Sequence, residues 1–191
     1  MKRAFDIVFS IIALLLLSPL ILFISVGIIL DSKGGVFFRQ KRIGLHEKPF
    51  LLFKFRSMFL DSERNGQLTL GNKDARITSF GRVLRRSKMD EIPQLLNVLK
   101  GEMSVVGPRP EVEKYVKLYT LEQKKIFQIK PGLTDYASIK YIDEDEVLAA
   151  SKTPEYSYIH TIMPDKLKIN LDYLENNSLL INGIDRLWGA P

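Results

Sequence analysis

From Ile7 to Leu30 the chain carries 24 consecutive positions without a charge, bounded by Asp6 and Asp31. As one straight helix the run measures ~36 Å, enough to cross a hydrocarbon core of ~30 Å. It is longer than the apolar region of a secretory signal, and no small-residue cleavage site follows it. Its irregularity is Ser18-Pro19. Proline lacks the N–H that a helix uses and crowds the preceding turn, so pattern alone predicts a kinked transmembrane span. The flanks point elsewhere. Lys2 and Arg3 precede the run, and Lys33, Arg39, Lys41 and Arg42 follow it. Positive residues favour the cytoplasmic side, which predicts a re-entrant membrane helix over residues 1–32, broken at Ser18-Pro19, that enters and leaves by one face. Ser18 can supply a hydrogen bond to the backbone groups freed there.

The remaining residues, 33–191, read as one mixed α/β, helix-rich domain. Asp31–Gly35 is a turn. Val36–Arg39 and Leu51–Arg56 are two strands of a hairpin, the second alternating Leu51, Phe53, Phe55 against Leu52, Lys54, Arg56, with Gly44–Pro49 as connection. Asp61–Asp74 is a polar loop. Thr78 or Ser79 caps a short helix with Phe80, Val83 and Leu84 inward. Asp90 and Glu91 open an apolar-periodic run (Ile92, Leu95, Leu96, Leu99) with Pro93 in its first turn and Gly101 at its end. Met103–Val106 reads as a buried strand, and Gly107-Pro108-Arg109-Pro110 as a stiff turn presenting an arginine. Glu111–Ile129 is mostly helical in pattern, with Val112, Tyr115, Val116 and Tyr119 as its core stripe. Tyr136–Tyr141 reads as a short strand, and Asp143–Glu146 heads a helix ending before Pro154. Lys166–Leu174 is a helix capped by Asp165. Leu179–Trp188 has the spacing of an interfacial amphipathic helix.

Composition sharpens this. At 191 residues and 46% hydrophobic, the chain suits one compact domain. Residues 1–130 hold 23 Lys and Arg against 12 Asp and Glu, whereas the remainder holds 5 against 10. The basic part suits an anionic partner: a phosphate-bearing ligand, anionic lipid headgroups or nucleic acid. With no cysteine, disulfides, thiolate catalysis and cysteine zinc sites are excluded. His46 and His160 have no partner at ligand spacing.

No P-loop, dinucleotide glycine fingerprint, G-x-S-x-G elbow or H-E-x-x-H helix is present. What stands out is Asp90-Glu91 between arginines: Arg82, Arg85 and Arg86 before, Arg109 after. Carboxylates serve as acid, base, metal ligand or nucleophile. Attack by an anion on a pyrophosphate needs its oxygens neutralised, which arginine forks and Mg²⁺ supply. Two acids at a helix start also simply complement the dipole.

The segments FKFRSM (53–58), DARITSFGRVLRRS (74–87), KMDEIPQLLNVLKGEMSVVGPRP (88–110) and KPGLTDY (130–136) closely resemble the bacterial sugar transferase family, the small monotopic phosphoglycosyl transferases. The resemblance runs from residue 1 to about 175, and Ser18-Pro19 matches the family's break in a re-entrant helix. It implies transfer of a sugar 1-phosphate from a UDP-sugar to undecaprenyl phosphate, giving undecaprenyl-diphospho-sugar and UMP by a ping-pong route. Asp90 would be the nucleophile and Glu91 the Mg²⁺ ligand. Arg85 and Arg109 match phosphate-binding arginines, and Arg76 and Arg56 fall in matching motifs. The implied setting is the cytoplasmic face of the bacterial inner membrane, with membrane lipids and no nucleic acid as partners, at the first membrane step of a glycan pathway. A homo-oligomer is left open. Two features depart from the pattern. Asp135-Tyr136-Ala137-Ser138 replaces Gly-x-Ala-Gln, and INGIDRLWGAP replaces the basic C-terminal helix. Two rival readings remain. In one, Asp143-Glu144-Asp145 is the D-x-D site of a glycosyltransferase that releases UDP. In the other, the protein is a non-enzymatic basic membrane adaptor.

Overall fold

The computed structural model describes residues 2–60 and 74–187, with side chains through 176. The loop expected over Asp61–Asp74 falls almost wholly outside the described residues, as do the side chains of the amphipathic segment Leu179–Trp188.

Helix α1 (Lys2–Asp31) is the described helix long and apolar enough to cross a bilayer. Its helical run continues through Ser18-Pro19, where a break is expected, with Pro19 inside the helix. Ser18 Oγ donates to the Leu15 carbonyl at 2.8 Å. That carbonyl is the one that would have accepted the N–H Pro19 lacks.

Both ends of α1 are tied to the same body. At the start, Arg3 donates to the Val98 and Leu99 carbonyls (2.5 and 2.8 Å), and Asp6 accepts from Ser104 Oγ and the Val105 N–H (3.1 and 3.0 Å). At the end, Asp31 accepts the Phe80 N–H at 3.1 Å, while Arg56 donates to the Ser32 carbonyl at 2.8 Å and to that of Lys33. A cation over the last carbonyls suits the negative pole of a helix. The side turned to the body carries Asp6, Ser10, Ile24 and Ile28, all buried. The outer side carries Leu15, Leu16, Leu22, Phe23 and Leu30, which are 67–81% exposed.

Strands β1 (Phe37–Ile43) and β2 (Pro49–Phe55) form an antiparallel hairpin with Phe38 opposite Lys54 and Arg42 opposite Phe50. The hairpin is longer than expected at its turn end. Arg42, there, is accommodated by a salt bridge to Glu111 at 3.2 Å. Helix α2 (Ser79–Arg86) is capped by Thr78, which accepts the Gly81 N–H at 3.0 Å. Leu84 is buried, but Val83, expected inward, is exposed.

A 3₁₀ turn (Met89–Glu91) leads into α3 (Gln94–Lys100), with Pro93 at the N-cap and Gly101 (φ +85°) at the C-cap. The acids therefore sit one turn ahead of α3. Strand β3 (Ser104–Val106) pairs in parallel with β4 (Gly132–Thr134). Gly107 and Gly132 meet backbone to backbone: a Cβ on Gly132 would lie 2.1 Å from the Gly107 nitrogen.

Two further expectations are corrected. Glu111–Ile129 is not one helix but α4 (Glu113–Val116) followed by a separate 3₁₀ turn (Gln123–Gln128). Thr120 and Gln123 bond each other's N–H groups, a capping box that starts a new helical turn. Tyr136–Tyr141 is not a strand but α5 (Tyr136–Lys140), because Asp135 caps it by accepting the Ser138 N–H at 2.5 Å. The acids of 143–146 head α6 (Glu144–Ala150), as expected. Helix α7 (Pro154–Ser157) continues through a π-turn (Tyr158–Ile162) into α8 (Met163–Leu187). Asp165 lies inside α8 rather than capping it, and accepts from Lys140 and Tyr141.

Two main apolar clusters result. One joins Ile24 and Ile28 of α1 to Phe55 and Leu84, with Met89 and Ile92 against them. The other gathers Tyr115, Val116, Phe127, Leu148, Tyr158 and Met163.

Candidate active site

A cavity of about 1040 Å³ lies between these clusters, touched by Phe55 and Ile92 on one side and by Tyr115, Leu148 and Tyr158 on the other. Asp90 and Glu91 line it, together with Lys54, Arg85 and Arg109. Their convergence follows from three local decisions. Lys88 in the left-handed region (φ 57°) turns the chain sharply into the 3₁₀ turn that presents both acids. Asn97 then clamps α3 to β2: its Nδ2 donates to the Leu51 carbonyl at 2.7 Å and its Oδ1 accepts the Phe53 N–H at 3.0 Å. This sets Lys54 beside Glu91. Finally, the glycine contact between β3 and β4 fixes the Pro108–Pro110 turn, and Asp135 accepts the Arg109 N–H at 2.9 Å.

The adjacent carboxylates have opposite environments. Glu91 accepts from Arg109 and, at 3.3 Å, from Lys54. Burial alone would raise its pKa, but the two cations outweigh it and hold Glu91 well below the usual carboxylate range. Asp90 is 4% exposed, and among the described residues no donor is bonded to its carboxylate. Burial raises its pKa, only partly offset by the charge of Lys54. Burial likewise lowers Lys54, with Glu91 as counterweight. One acid is locked and anionic; its neighbour is buried, more basic and without a bonded donor among the described residues.

The family model described as bacterial sugar transferase matches residues 1–184. The chain is a member of the bacterial sugar transferase family. It is 45% identical over 139 residues to an uncharacterized sugar transferase, EpsL, of Bacillus subtilis (strain 168), covering 73% of this chain and 68% of that one. It is 39% identical over 186 residues to the UDP-glucose:undecaprenyl-phosphate glucose-1-phosphate transferase of Xanthomonas campestris pv. campestris, covering 95% of this chain but 36% of the relative. It is 40% identical over 141 residues to the UDP-N-acetylgalactosamine-undecaprenyl-phosphate N-acetylgalactosaminephosphotransferase of Aeromonas hydrophila, covering 72% of this chain and 33% of that protein. The chain thus spans about a third of the length of the last two.

In this sugar transferase the residues singled out from sequence divide into two groups. Asp90, Glu91 and Arg109 come together. Arg85 lines the same cavity but pairs with Asp145 at 3.5 Å. Arg56 and Arg76 also border it, with their guanidinium groups engaged elsewhere: Arg56 on the carbonyls ending α1, Arg76 on Asp74 at 2.6 Å. Of the acidic run 143–146, Asp145 meets Arg85, and Glu144 pairs with Lys166 at 2.6 Å. Neither histidine lines the cavity. Sequence reasoning passed over Lys54 and Asn97, and singled out Asp135 only as a departure from the family pattern. Lys54 left a signal, a lysine between phenylalanines on a strand; Asn97 left none beyond its residue type.

Among the described residues no three His, Asp or Glu side chains cluster as a metal cage. Mg²⁺ characteristically uses one or two carboxylates together with substrate phosphates, and the oxygen donors of Glu91 and Asp90 fit that pattern.

Proposed function

We infer that this chain transfers a sugar 1-phosphate from a UDP-sugar to undecaprenyl phosphate, yielding undecaprenyl-diphospho-sugar and UMP through an aspartyl-phosphosugar intermediate. The observation that carries this is the unbonded, buried Asp90 carboxylate beside a Glu91 locked by two cations. In the first half-reaction an Asp90 oxygen attacks the sugar-side phosphorus, the bond from that phosphorus to the bridging oxygen breaks, and UMP leaves with the bridging oxygen. In the second, an oxygen of the lipid phosphate attacks the same phosphorus and the Asp90 carboxylate is released. No net proton transfer is required of the protein, so its task is to neutralise charge and hold geometry. Arg109 and Lys54 supply fixed positive charge at the reacting phosphorus. Glu91 would hold Mg²⁺, whose charge, when bound, offsets that of the diphosphate.

The setting proposed is a membrane surface. The outer side of α1 is a continuous apolar face of the kind that marks a lipid contact, and both its ends return to one body. Phe9, Ala13 and Leu17 of the same helix border the cavity. A lipid phosphate held alongside α1 then reaches Asp90 without leaving the bilayer.

The test is UMP release with Mg²⁺, undecaprenyl phosphate and a panel of UDP-sugars, with intact-protein mass measured when the lipid is omitted. Asp90→Asn is expected to lower turnover about 10³-fold or more and to abolish the added phosphosugar mass. Full turnover by Asp90→Asn would sink the covalent route, and release of UDP would sink phosphosugar transfer itself.

A further inference from the structure

The cavity extends well beyond the dyad, and its far wall is polar in a way the chemistry above does not use. Gln40 and Arg42 lie on the same face of the hairpin as Lys54, since Phe38 pairs with Lys54 and side chains alternate along a strand. Arg42 donates to Gln40 Oε1 at 2.7 Å and to Glu111 Oε1 at 3.2 Å. Glu111 follows Arg109-Pro110 directly, so this chain of bonds begins where the catalytic arginine is fixed. The other Glu111 oxygen accepts from Tyr158. Burial, and then the charge of Glu111, raise the Tyr158 pKa, so its hydroxyl keeps the proton it gives to Glu111 and its oxygen can accept from a ligand hydroxyl. Tyr158 opens the π-turn, and such turns are rare and concentrated at functional sites. Lys166 sits 6.0 Å from the Tyr158 ring centre, and Asn170 follows one turn later on α8.

Asn170 is the anomaly in this wall. It is 5% exposed and borders the cavity, yet its Oδ1 has no hydrogen-bond partner; nor does the buried Ser138 Oγ, which borders the same cavity. A buried polar atom left unpaired costs free energy, and an apolar residue of the same shape would be neutral or stabilising. The fold keeps an amide where packing alone would not select one. A carboxylate, a phenol and an amide around aromatic faces are the groups that bind a hydroxylated ring: the polar atoms take hydroxyls and the aromatic faces take C–H surface.

We propose that Glu111, Tyr158 and Asn170 form the donor-ring subsite, binding the hydroxyls of either the transferred sugar or the ribose of the nucleotide. This rests on a UDP-sugar being the donor.

The experiment uses the full chain in lipid nanodiscs, wild type against Asn170→Leu and Tyr158→Phe. Donor affinity is read by ligand-observed NMR with UDP-sugars and with UMP. KM is read separately for donor and for undecaprenyl phosphate, with thermal unfolding as a check on folding. Either variant is expected to weaken donor binding and raise donor KM about fivefold, as one lost hydrogen bond would. The lipid phosphate KM stays within about twofold, on the same scale, and Asn170→Leu melts no lower than wild type. An equal loss of UMP affinity assigns the ring to ribose; unchanged UMP affinity assigns it to the transferred sugar. Donor affinity unchanged in both variants, or donor and lipid KM rising together, overturns the subsite. A wild-type protein that binds donors but turns none over defeats the reaction proposed above while leaving this binding test intact.

Discussion

In the body Leu84, Val98 and Met103 are sealed from solvent, whereas in α1 Leu15, Leu16 and Leu30 stand open and the hidden side mixes Asp6 and Ser10 with Ile24 and Ile28. The body follows the ordinary rule, while the first half of α1 inverts it, hiding Asp6 and Ser10 and exposing Ile11, Ile12, Leu15 and Leu16. An apolar side chain left facing water forfeits about 25 cal/mol per Å² of burial, so the membrane setting proposed above would stabilise the open face. The helix is held by Ile24 and Ile28 packing on Phe55 and Leu84, and at both ends by charged side chains that bond the body. What the difference teaches is that α1 is fixed by polar bonds at each end, with an outer apolar face along its middle that the body does not cover.

The strongest way to break this comparison is to make the outer face of α1 polar. Leu16→Asp with Phe23→Asp should abolish sedimentation with lipid vesicles, since each acid costs roughly 2.5–3.5 kcal/mol at mid-bilayer. Unaltered sedimentation through a high-salt wash would mean that the outer face is not the lipid contact. The next effect tests the hidden side. Asp6→Ala strands the Ser104 hydroxyl and the Val105 N–H, and should cost about 1–3 kcal/mol in the urea unfolding midpoint. A change near zero would show that the bonds at that end are decorative.

A smaller effect concerns the body. As the proposed nucleophile Asp90 would have to be ionised, so its raised pKa predicts that activity is gained as pH climbs through a value above the ordinary aspartate range. Lys54 works against that rise, so Lys54→Met should move the acid limb of kcat/KM to higher pH. A shift towards acid would contradict the assigned environment. The mildest change sharpens the picture of α1: Ser18→Ala removes the hydroxyl serving the Leu15 carbonyl, for about 0.5–1.5 kcal/mol. Hydrogen exchange around residues 15–22 should quicken, with both ends unaffected.

These contrasts also separate what sequence could reveal from what it could not. Asp90, Glu91 and Arg109 were legible because local punctuation places them: Pro93 and Gly101 bound one helix, and two prolines stiffen the turn. The apolar run was legible for the same reason, as was the hydroxyl Ser18 offers beside Pro19. Lys54 joins the dyad only through the clamp that Asn97 makes 46 residues away from Leu51, a long-range contact that no window reports. Arg56 and Arg76 sat in suggestive motifs, yet their guanidinium groups serve helix carbonyls and a neighbouring aspartate. Residue type alone does not tell a substrate cation from a capping one. The helix expected across Glu111–Ile129 failed on a signal that was present, the Thr120–Gln123 capping box, outweighed by the apolar stripe around it.

Asp135 holds the Ser138 N–H with one oxygen and the Arg109 N–H with the other. A single carboxylate is thus the hinge pin between helix α5, whose Ser138 borders the far wall of the cavity, and the turn that presents Arg109. For anyone re-engineering donor choice, substitutions in α5 and at Arg109 are not separate dials. Each α5 variant belongs in a double-mutant cycle with Arg109, because moving one side of the pin moves the other.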